Sequence, residues 1–540
     1  MNEHTISQQE RNAIARAAAQ AAVEGLVVKP TGRVEYRSQG RLAVIGGSEA
    51  LEFASHITMP LKPHVILLHG EEEPGPPLVS VAGRTIHIEG YLGAFRISLG
   101  DESKPNYEMV DADLVLDLSP VPLLSMPLPP PGYLSVANDE PSLVNAVAQL
   151  ADLVGTFEKP RYFDYDASIC AHARAGQNGC NRCIEACPAE AITSLAETIE
   201  VNPNLCQGGG VCATVCPSGA IQYAYPRAED TLQQIRTLLR VYRDNDGKDP
   251  VIAFFSEADG DVTSTVPENL IPILVEELGS VGLEVWFSAL AYGATTVLLV
   301  DGGAMPASVS AKVSEQLIAA SEILSAMGYA ENSIRLVTTG ALENESTSTM
   351  PLIDAATFSG VGGKRQTAFM AIDHLYAEAD RPKLMANLTA GAPFGTANVD
   401  EERCTLCLSC AGICPGKALQ TGDGMPQLLF IEANCLQCGL CTRSCPEDAI
   451  WISPRFLFER EERSRPRLLH EEPPFCCVSC GKPFATKSVI NKMVTKLADH
   501  WMFQNERARR RLMMCDDCRV VDIVQDPEAM QQGFDTHRQQ

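Results

Sequence analysis

Cysteines are the residues of this sequence whose number and spacing could do chemistry. Twenty occur among 540 residues, in three groups: seven between 170 and 216, eight between 404 and 445, and five between 476 and 518. In a cytoplasmic protein thiols stay reduced, so metal binding is expected rather than disulfides. Several of these cysteines follow the spacing C-x2-C-x2-C-x3-C-P, which binds iron–sulfur clusters. The pattern predicts one-electron redox chemistry.

The second group contains this spacing twice, and each copy ends in a proline, Pro415 or Pro446. In such a pair, three closely spaced thiolates bind one cluster and the fourth binds the other cluster. Each proline ends the short helix just after that fourth ligand. Two zinc sites would need neither the crossed spacing nor the prolines. The predicted ligand sets are Cys404, Cys407, Cys410 with Cys445, and Cys435, Cys438, Cys441 with Cys414.

Residues 400–452 resemble a bacterial ferredoxin with two [4Fe–4S] clusters. The resemblance implies a small pseudo-symmetric fold that holds two low-potential one-electron clusters. It covers about a tenth of the chain and does not indicate the redox partner.

The first group departs from the pattern in its first half. Gln177 stands where the first cysteine belongs, and Cys170 lies seven residues upstream. A loop of nine residues between Cys170 and Cys180 can close that distance. The predicted ligands of this cluster are Cys170, Cys180, Cys183 and Cys216, with His172 as an alternative to Cys170.

The other half of the first group lacks one ligand, because Gly209 holds the second-cysteine position. Cys187, Cys206 and Cys212 remain. They could hold a [3Fe–4S] cluster, a cubane with an open or non-cysteine ligand, a cubane completed by a distant thiolate such as Cys476, or no cluster. The sequence therefore predicts three [4Fe–4S] clusters and leaves the fourth site open.

The third group consists of two CxxC pairs, with 34 residues between them. Four thiolates so arranged suit a structural Zn²⁺, with a further cluster or a rubredoxin-type iron as alternatives. The predicted metal ligands are Cys477, Cys480, Cys515 and Cys518. The intervening residues 487–514 read as one basic helix. It could dock an acidic redox partner or pair with acidic residues of its own chain.

The elements that must position these cysteines alternate between strands and helices. The sequence predicts an α/β and α+β multidomain protein with two ferredoxin-like dicluster modules, two small α/β domains with parallel sheets, and a C-terminal CxxC/CxxC metal knuckle. Six prolines in residues 120–133 predict an extended linker. The predicted divisions are a small α/β domain (1–118), a proline-rich linker and helix (119–165), the irregular first module (166–226), an α/β domain without cysteines (227–345), a connector (346–399), the complete second module (400–455) and the metal-binding module (456–540).

Four apolar runs in residues 227–345 predict a parallel sheet: 251–255, 283–287, 295–300 and 334–337. Apolar residues at helical spacing between 313 and 327 predict a helix that covers one sheet face. Residues 250–340 weakly resemble the hydrogenase delta-type domain associated with heterodisulfide reductases. That domain carries cysteines near its strand ends, where this chain has Ser256 and Ser288. The resemblance implies that a cluster has been lost here.

The net charge and the hydropathy of the sequence argue against some kinds of binding partner. A net charge of −25 argues against nucleic-acid binding, which requires Lys and Arg against the phosphates. No stretch has the 18 or more apolar residues typical of a membrane span. The N-terminus is polar and then amphipathic, unlike a secretion signal, so a cytoplasmic location is expected.

The sequence favours a non-catalytic subunit that relays single electrons between a partner oxidoreductase and another carrier, because no nucleophile–base arrangement is evident. The expected partner is an oxidoreductase subunit or a small electron carrier. One alternative is a self-contained iron–sulfur oxidoreductase, with a flavin near the turn at Gly46 and Gly47 or at Gly302 and Gly303. Another is an assembly or sensor protein that uses the incomplete cluster as a labile site.

Overall fold

The computed structural model of the chain describes residues 7–69, 76–81, 83–137, 139–257, 266–344, 350–360 and 362–527. Contacts divide the chain into two units. Unit 1 comprises Met1–Ser168 and Asn181–Pro382, and unit 2 comprises Ile169–Cys180 and Lys383–Gln540. The first cysteine group is therefore shared between the units, with Cys170 and Cys180 in unit 2.

Unit 1 contains a five-stranded parallel sheet whose strands are rich in apolar residues. Its central strand, Arg41–Gly46, is buried at every residue but the first. Such near-continuous burial is typical of parallel strands that are covered on both faces. The helix Ser48–His56 follows this strand. The strand order is Leu78–Ser80, Lys62–Leu67, Arg41–Gly46, Leu114–Asp117 and Tyr133–Ser135.

The proline-rich stretch 120–133 is part of this sheet domain rather than a linker after it. It connects two neighbouring strands, Leu114–Asp117 and Tyr133–Ser135, which pair in parallel. The helix Glu140–Asp152 then adds Leu143, Ala146 and Leu150 to the same core as the first strands. Prolines exclude helix and central strand but do not prevent a packed crossover. The α/β core therefore extends beyond residue 118.

Two antiparallel elements complete this part of unit 1. A three-stranded sheet, Ile86–Glu89, Phe95–Leu99 and Glu108–Ala112, contributes alternate residues to a second core cluster. The strand Arg33–Ser38 pairs along its whole length with Gly155–Pro160. The N-terminal helix Gln8–Val23 starts at a capping box formed by Ser7 and Glu10.

The part of the first cysteine module that lies in unit 1 is built from short elements. The helices Arg182–Ala186 and Val211–Val215 each end at a cysteine, Cys187 or Cys216. The strands are Phe163–Tyr165 paired with Ile221–Tyr223, and Ile192–Leu195 paired with Thr198–Val201.

The second parallel sheet has the strand order Leu270–Val275, Val251–Ser256, Thr296–Asp301 and Ile334–Thr338. The prediction of a strand at 283–287 is wrong, because these residues belong to the helix Leu283–Ala291, all of which is buried. An apolar run does not distinguish a buried helix from a buried strand. The fourth strand is Leu270–Val275. The other helices are Ala228–Asp244, Ala307–Met327 and Lys364–Ala377.

Unit 2 contains the second cysteine module and the C-terminal metal knuckle. One sheet joins Met385–Asn387, Ile450–Leu457 and Gly395–Val399, and another joins Leu419–Thr421, Gln427–Phe430 and Arg467–Glu471. The first of these sheets crosses both predicted limits, at residues 400 and 455, and the second crosses the limit at 455, so the module's sheets extend to either side of its cysteines. The short hairpins are Ala173–Arg174 with Gln177–Asn178, and Pro474–Cys476 with Pro483–Thr486. The helices are Ser409–Ile413, Leu440–Arg443, Arg460–Ser464, Lys487–Lys496, Glu506–Arg511 and Asp516–Val524.

The single basic helix predicted at 487–514 is divided into separate elements. Lys487–Lys496 begins at Thr486, whose hydroxyl accepts a hydrogen bond from the Val489 amide. Glu506–Arg511 begins at a second cap, Asn505, and a turn of 3₁₀ helix at Trp501–Phe503 separates the two. Asn505 favours this new start because its side chain bonds the first turn. Among the described residues, no helix is both long and apolar enough to cross a membrane.

Candidate iron–sulfur and metal sites

The eight cysteines of the second module lie around two cavities. One is lined by Cys404, Cys407, Cys410 and Cys445, and the other by Cys414, Cys435, Cys438 and Cys441. Each cavity thus has three cysteines from one repeat and the fourth from the other repeat. This is the grouping expected for two clusters with crossed ligands.

Left-handed backbone turns the thiols of each repeat toward its cavity. The second and fourth residues after the first cysteine have positive φ: Leu406 and Leu408 in one repeat, Gln437 and Gly439 in the other. Such angles are uncommon for residues other than glycine, so their recurrence at equivalent places marks a required loop shape. The same two places after Cys206 are Gly208 and Gly210, also at positive φ.

In the cavities of the second module, a cysteine thiolate is unfavourable unless a cation is bound to it. Burial raises the pKa of Cys410 to about 12 and that of Cys438 to about 11, since a thiolate loses solvation there. Iron bound to these sulfurs would keep them deprotonated. Hydrogen bonds also reach the sulfurs: the Gln437 amide donates to Cys435 Sγ at 3.2 Å, and the Ala449 backbone amide donates to Cys445 Sγ at 3.3 Å. The donor set and the cavities therefore fit iron–sulfur clusters.

A third cavity, in unit 1, is lined by Cys187, Cys206 and Cys212 together with Gly209. Loss of solvation raises the pKa of all three thiols, most strongly that of Cys212. Gly209 occupies the place that Cys407 and Cys438 hold in the other repeats. A Cβ atom built on it would have only Pro188 Cγ, at 3.9 Å, within 4 Å. The cavity therefore has three thiols and open space at the fourth position.

The remaining predicted ligands of the first module are divided between the units. Cys183 and Cys216 are buried in unit 1, whereas Cys170 and Cys180 belong to unit 2. In unit 2 the backbone amide of Cys180 donates to the Ala171 carbonyl, and the His172 ring lies 3.1 Å from the Cys180 carbonyl oxygen. The assignment of these four cysteines to one cluster stays a prediction.

Sequence reasoning missed the residues that hold the loop before Gly209. Lys159 donates to the carbonyls of Asn204 and Cys206, and the Tyr36 hydroxyl donates to the Asn204 carbonyl. Burial lowers the pKa of Lys159 to about 8. Tyr223 donates to the Gly208 carbonyl at 2.9 Å. These residues lie in no motif, and only their packing reveals them.

The proline-rich stretch also contacts this three-cysteine site. Leu128 lines the cavity, and its backbone amide donates to the Pro188 carbonyl at 3.0 Å. The Gln207 side chain donates to the Pro129 carbonyl at 2.8 Å. The segment predicted as a linker therefore forms part of the cavity wall.

The four cysteines of the C-terminal knuckle come together. The Sγ atoms of Cys477, Cys480, Cys515 and Cys518 all lie within 4.8 Å of one another, and those of Cys480 and Cys515 are 3.7 Å apart. Tetrahedral zinc at about 2.3 Å from each sulfur requires sulfurs about 3.8 Å apart. A [4Fe–4S] cluster spreads its cysteines over four separate irons. The spacing fits one shared ion, and Cys476 is exposed outside this group.

Three cations of the basic segment beside this knuckle pair with acidic residues of their own unit. Lys492 forms an ion pair with Glu447, and Arg507 and Arg511 both bind Asp522. These pairs favour the intrachain role over a docking surface for these three cations.

The glycine turns of the α/β domains hold carboxylates where a phosphate would bind. Glu49 Oε1 accepts from the Gly47 amide at 2.9 Å, and Asp301 Oδ1 accepts from the Gly303 amide at 2.8 Å. Anion binding at such a turn requires free amides and no competing negative charge. The arrangement does not support a nucleotide phosphate at either turn.

Two family models, each described as a 4Fe-4S dicluster domain, match residues 178–220 and 394–450. The chain therefore contains two ferredoxin-type 4Fe–4S dicluster domains and is an iron–sulfur protein, as the resemblance of residues 400–452 implied. It is also 46% identical over 53 residues to hydrogenase-4 component A of Escherichia coli strain K12. That match covers 10% of this chain and 23% of the relative's length.

Proposed function

We propose that this protein is an electron-transfer subunit that relays single electrons between a partner oxidoreductase and a second carrier. The observation that carries the proposal is the division of the eight cysteines of 404–445 between two cavities, each with one crossed cysteine. When bound there, a [4Fe–4S] cluster accepts and releases one electron. The chain supplies burial, thiol ligands and hydrogen bonds to the sulfurs, which together tune the potential.

The proposed ligand sets follow the cavities where these exist. Cys404, Cys407, Cys410 and Cys445 hold one [4Fe–4S] cluster, and Cys414, Cys435, Cys438 and Cys441 hold another. Cys170, Cys180, Cys183 and Cys216 hold a third. For Cys187, Cys206 and Cys212 we propose [3Fe–4S], because open space at Gly209 and three thiols match its ligand count. For the C-terminal knuckle we propose zinc, from the 3.7 Å sulfur spacing.

A partner would approach the site of Cys404, because its ligand Cys407 is exposed, whereas in the other site of this module Cys435 is buried and the remaining three cysteines are half-buried. Electrons exchange fastest where a ligand reaches the surface and little protein intervenes. The likeness to a hydrogenase component supports a partner that is a subunit of a multi-subunit oxidoreductase.

Metal analysis of the anaerobically purified protein tests the proposal. Iron, sulfide and zinc are quantified, and the clusters are counted by EPR in oxidised and reduced samples. The expected result is about fifteen irons and one zinc per chain, with a three-iron signal in the oxidised sample. About eight irons would contradict the assignment of the first module. Stoichiometric flavin, with reduction of a two-electron acceptor by the protein alone, would favour a self-contained oxidoreductase instead.

A further inference from the structure

We propose that Lys159 and Tyr36 are positioning residues of the three-cysteine site, and that the charge of Lys159 raises the reduction potential of the cluster held there. Both residues come from the paired strands Arg33–Ser38 and Gly155–Pro160 of the N-terminal α/β part. The inference rests on the proposed function, since it requires a cluster on Cys187, Cys206 and Cys212.

The contacts place both side chains on the loop that carries Cys206. Lys159 Nζ lies 2.6 Å from the carbonyl oxygen of Cys206 itself and 3.1 Å from that of Asn204. The Tyr36 hydroxyl donates to the same Asn204 oxygen at 2.6 Å. Two donors therefore meet on one carbonyl, two residues before a cluster ligand, and they fix the approach of that ligand to the cavity.

The Lys159 ammonium group is held in place without being neutralised. Its acceptors on this loop are carbonyl oxygens, which carry no net charge, and it lies 4.8 Å from the centre of the Tyr36 ring. Tyr36 is itself buried, at 5% exposure. Partial burial lowers the local dielectric, so the positive charge acts on its surroundings with little screening.

A fixed positive charge beside a cluster favours the reduced form, which carries one more negative charge than the oxidised form. Removing the charge should therefore make the potential more negative. Removing only the Tyr36 hydroxyl takes away a hydrogen bond and leaves the charge in place. Comparing variants of the two residues thus separates the effect of the charge on the reduction potential from the effect of a lost hydrogen bond.

The test is an EPR-monitored redox titration of the full-length protein, purified without oxygen, with four samples at one pH. They are the wild type, Lys159→Met, Lys159→Arg and Tyr36→Phe. At the potential where the wild-type three-cysteine cluster is half reduced, we expect Lys159→Met to raise its oxidised-to-reduced ratio at least tenfold, equivalent to about 59 mV. Lys159→Arg and Tyr36→Phe should change the ratio less than threefold. The clusters of Cys404–Cys445 serve as the internal reference.

An unchanged ratio in Lys159→Met, or an equal shift in the Met and Arg variants, would overturn the role of the charge. Loss of the cluster from Lys159→Met but not from Lys159→Arg would support the positioning role, because a cation then holds the loop. A wild-type protein without any cluster signal from this site would instead refute the proposed function at Cys187, Cys206 and Cys212.

Discussion

Replacing Gly209 with cysteine should supply the ligand that the first module lacks. Gly209 is the third residue after Cys206, as Cys407 is after Cys404 and Cys438 is after Cys435. The left-handed residues on either side of it, Gly208 and Gly210, match those of the complete repeats. A thiol at this position should therefore point into the three-cysteine cavity, and the three-iron cluster should become a four-iron cluster.

The backbone at Gly209 accepts a side chain at little cost. The built Cβ lies 3.9 Å from Pro188 Cγ, an ordinary contact, whereas a Cβ on Gly210 would lie 2.4 Å from Ser280 Cα. Gly210 also has a φ of +67°, which strains any other residue. We expect Gly209→Cys to change the free energy of unfolding by less than about 1 kcal/mol. Gly210→Cys should destabilise the protein by about 2 kcal/mol or more.

The assay compares Gly209→Cys with Gly209→Ser, which has a similar size but no thiolate. After anaerobic reconstitution, the cysteine variant should contain about one more iron per chain than the serine variant. Its oxidised three-iron EPR signal should disappear, and a further signal should appear on reduction. Because both variants keep the C-terminal knuckle, iron bound there cancels in the comparison.

Equal iron in the two variants, with the new thiol free to react with an alkylating reagent, would refute the reasoning. That result would mean either that the cavity holds no cluster or that its fourth position is not at Gly209. Sulfide quantification separates these cases, because a missing cluster lowers sulfide in both variants.

Three further predictions concern unit 2. Cys445→Ala should remove about four irons and leave the same EPR spectrum as Cys407→Ala, since both residues line one cavity; a spectrum unlike that of Cys407→Ala would contradict crossed ligation. Cys515→Ser should abolish zinc binding, measured by mass spectrometry of the metals, without changing iron content; loss of iron instead would identify a cluster or an iron site. Glu432→Ala, which removes the buried carboxylate that pairs with the partly buried Arg455, should lower the free energy of unfolding by about 2 kcal/mol, whereas Glu462→Ala at an exposed pair should cost under about 1 kcal/mol; equal thermal shifts would contradict the role of the buried carboxylate.

The sequence could predict the class of site because cluster ligation depends on short spacings along the chain. Each of the two cavities of the second module is lined by the four cysteines that the spacing grouped together. Gly209 lines the third cavity, and the spacing of the first module indicated that a ligand is missing at this residue. Residues that act through packing could not be predicted in this way. Lys159 is 47 residues before Cys206, and no local pattern connects them.

Prediction of the elements failed where hydrophobicity alone decided it. Residues 283–287 are apolar throughout, which fits a buried strand and a buried helix equally well. The prediction of a single helix over residues 487–514 failed for a different reason. Its caps at Thr486 and Asn505 were present in the sequence, but charge along the segment suggested continuity. The prolines of 120–133 excluded regular structure correctly, yet gave no indication that Leu128 and Pro129 pack on a cysteine site.

An ion bound at the C-terminal knuckle would lower the conformational entropy of the chain between its two CxxC pairs. An ion shared by its two CxxC pairs closes a loop of 34 residues between Cys480 and Cys515, and closure of such a loop costs about 3 kcal/mol of conformational freedom. Within that loop, the Thr486 hydroxyl donates to the carbonyl of Thr405, next to Cys404, at 2.9 Å. A metal ion bound at the knuckle would thus act as a removable cross-link. Its binding would restrict the chain segment that contacts the loop of Cys404.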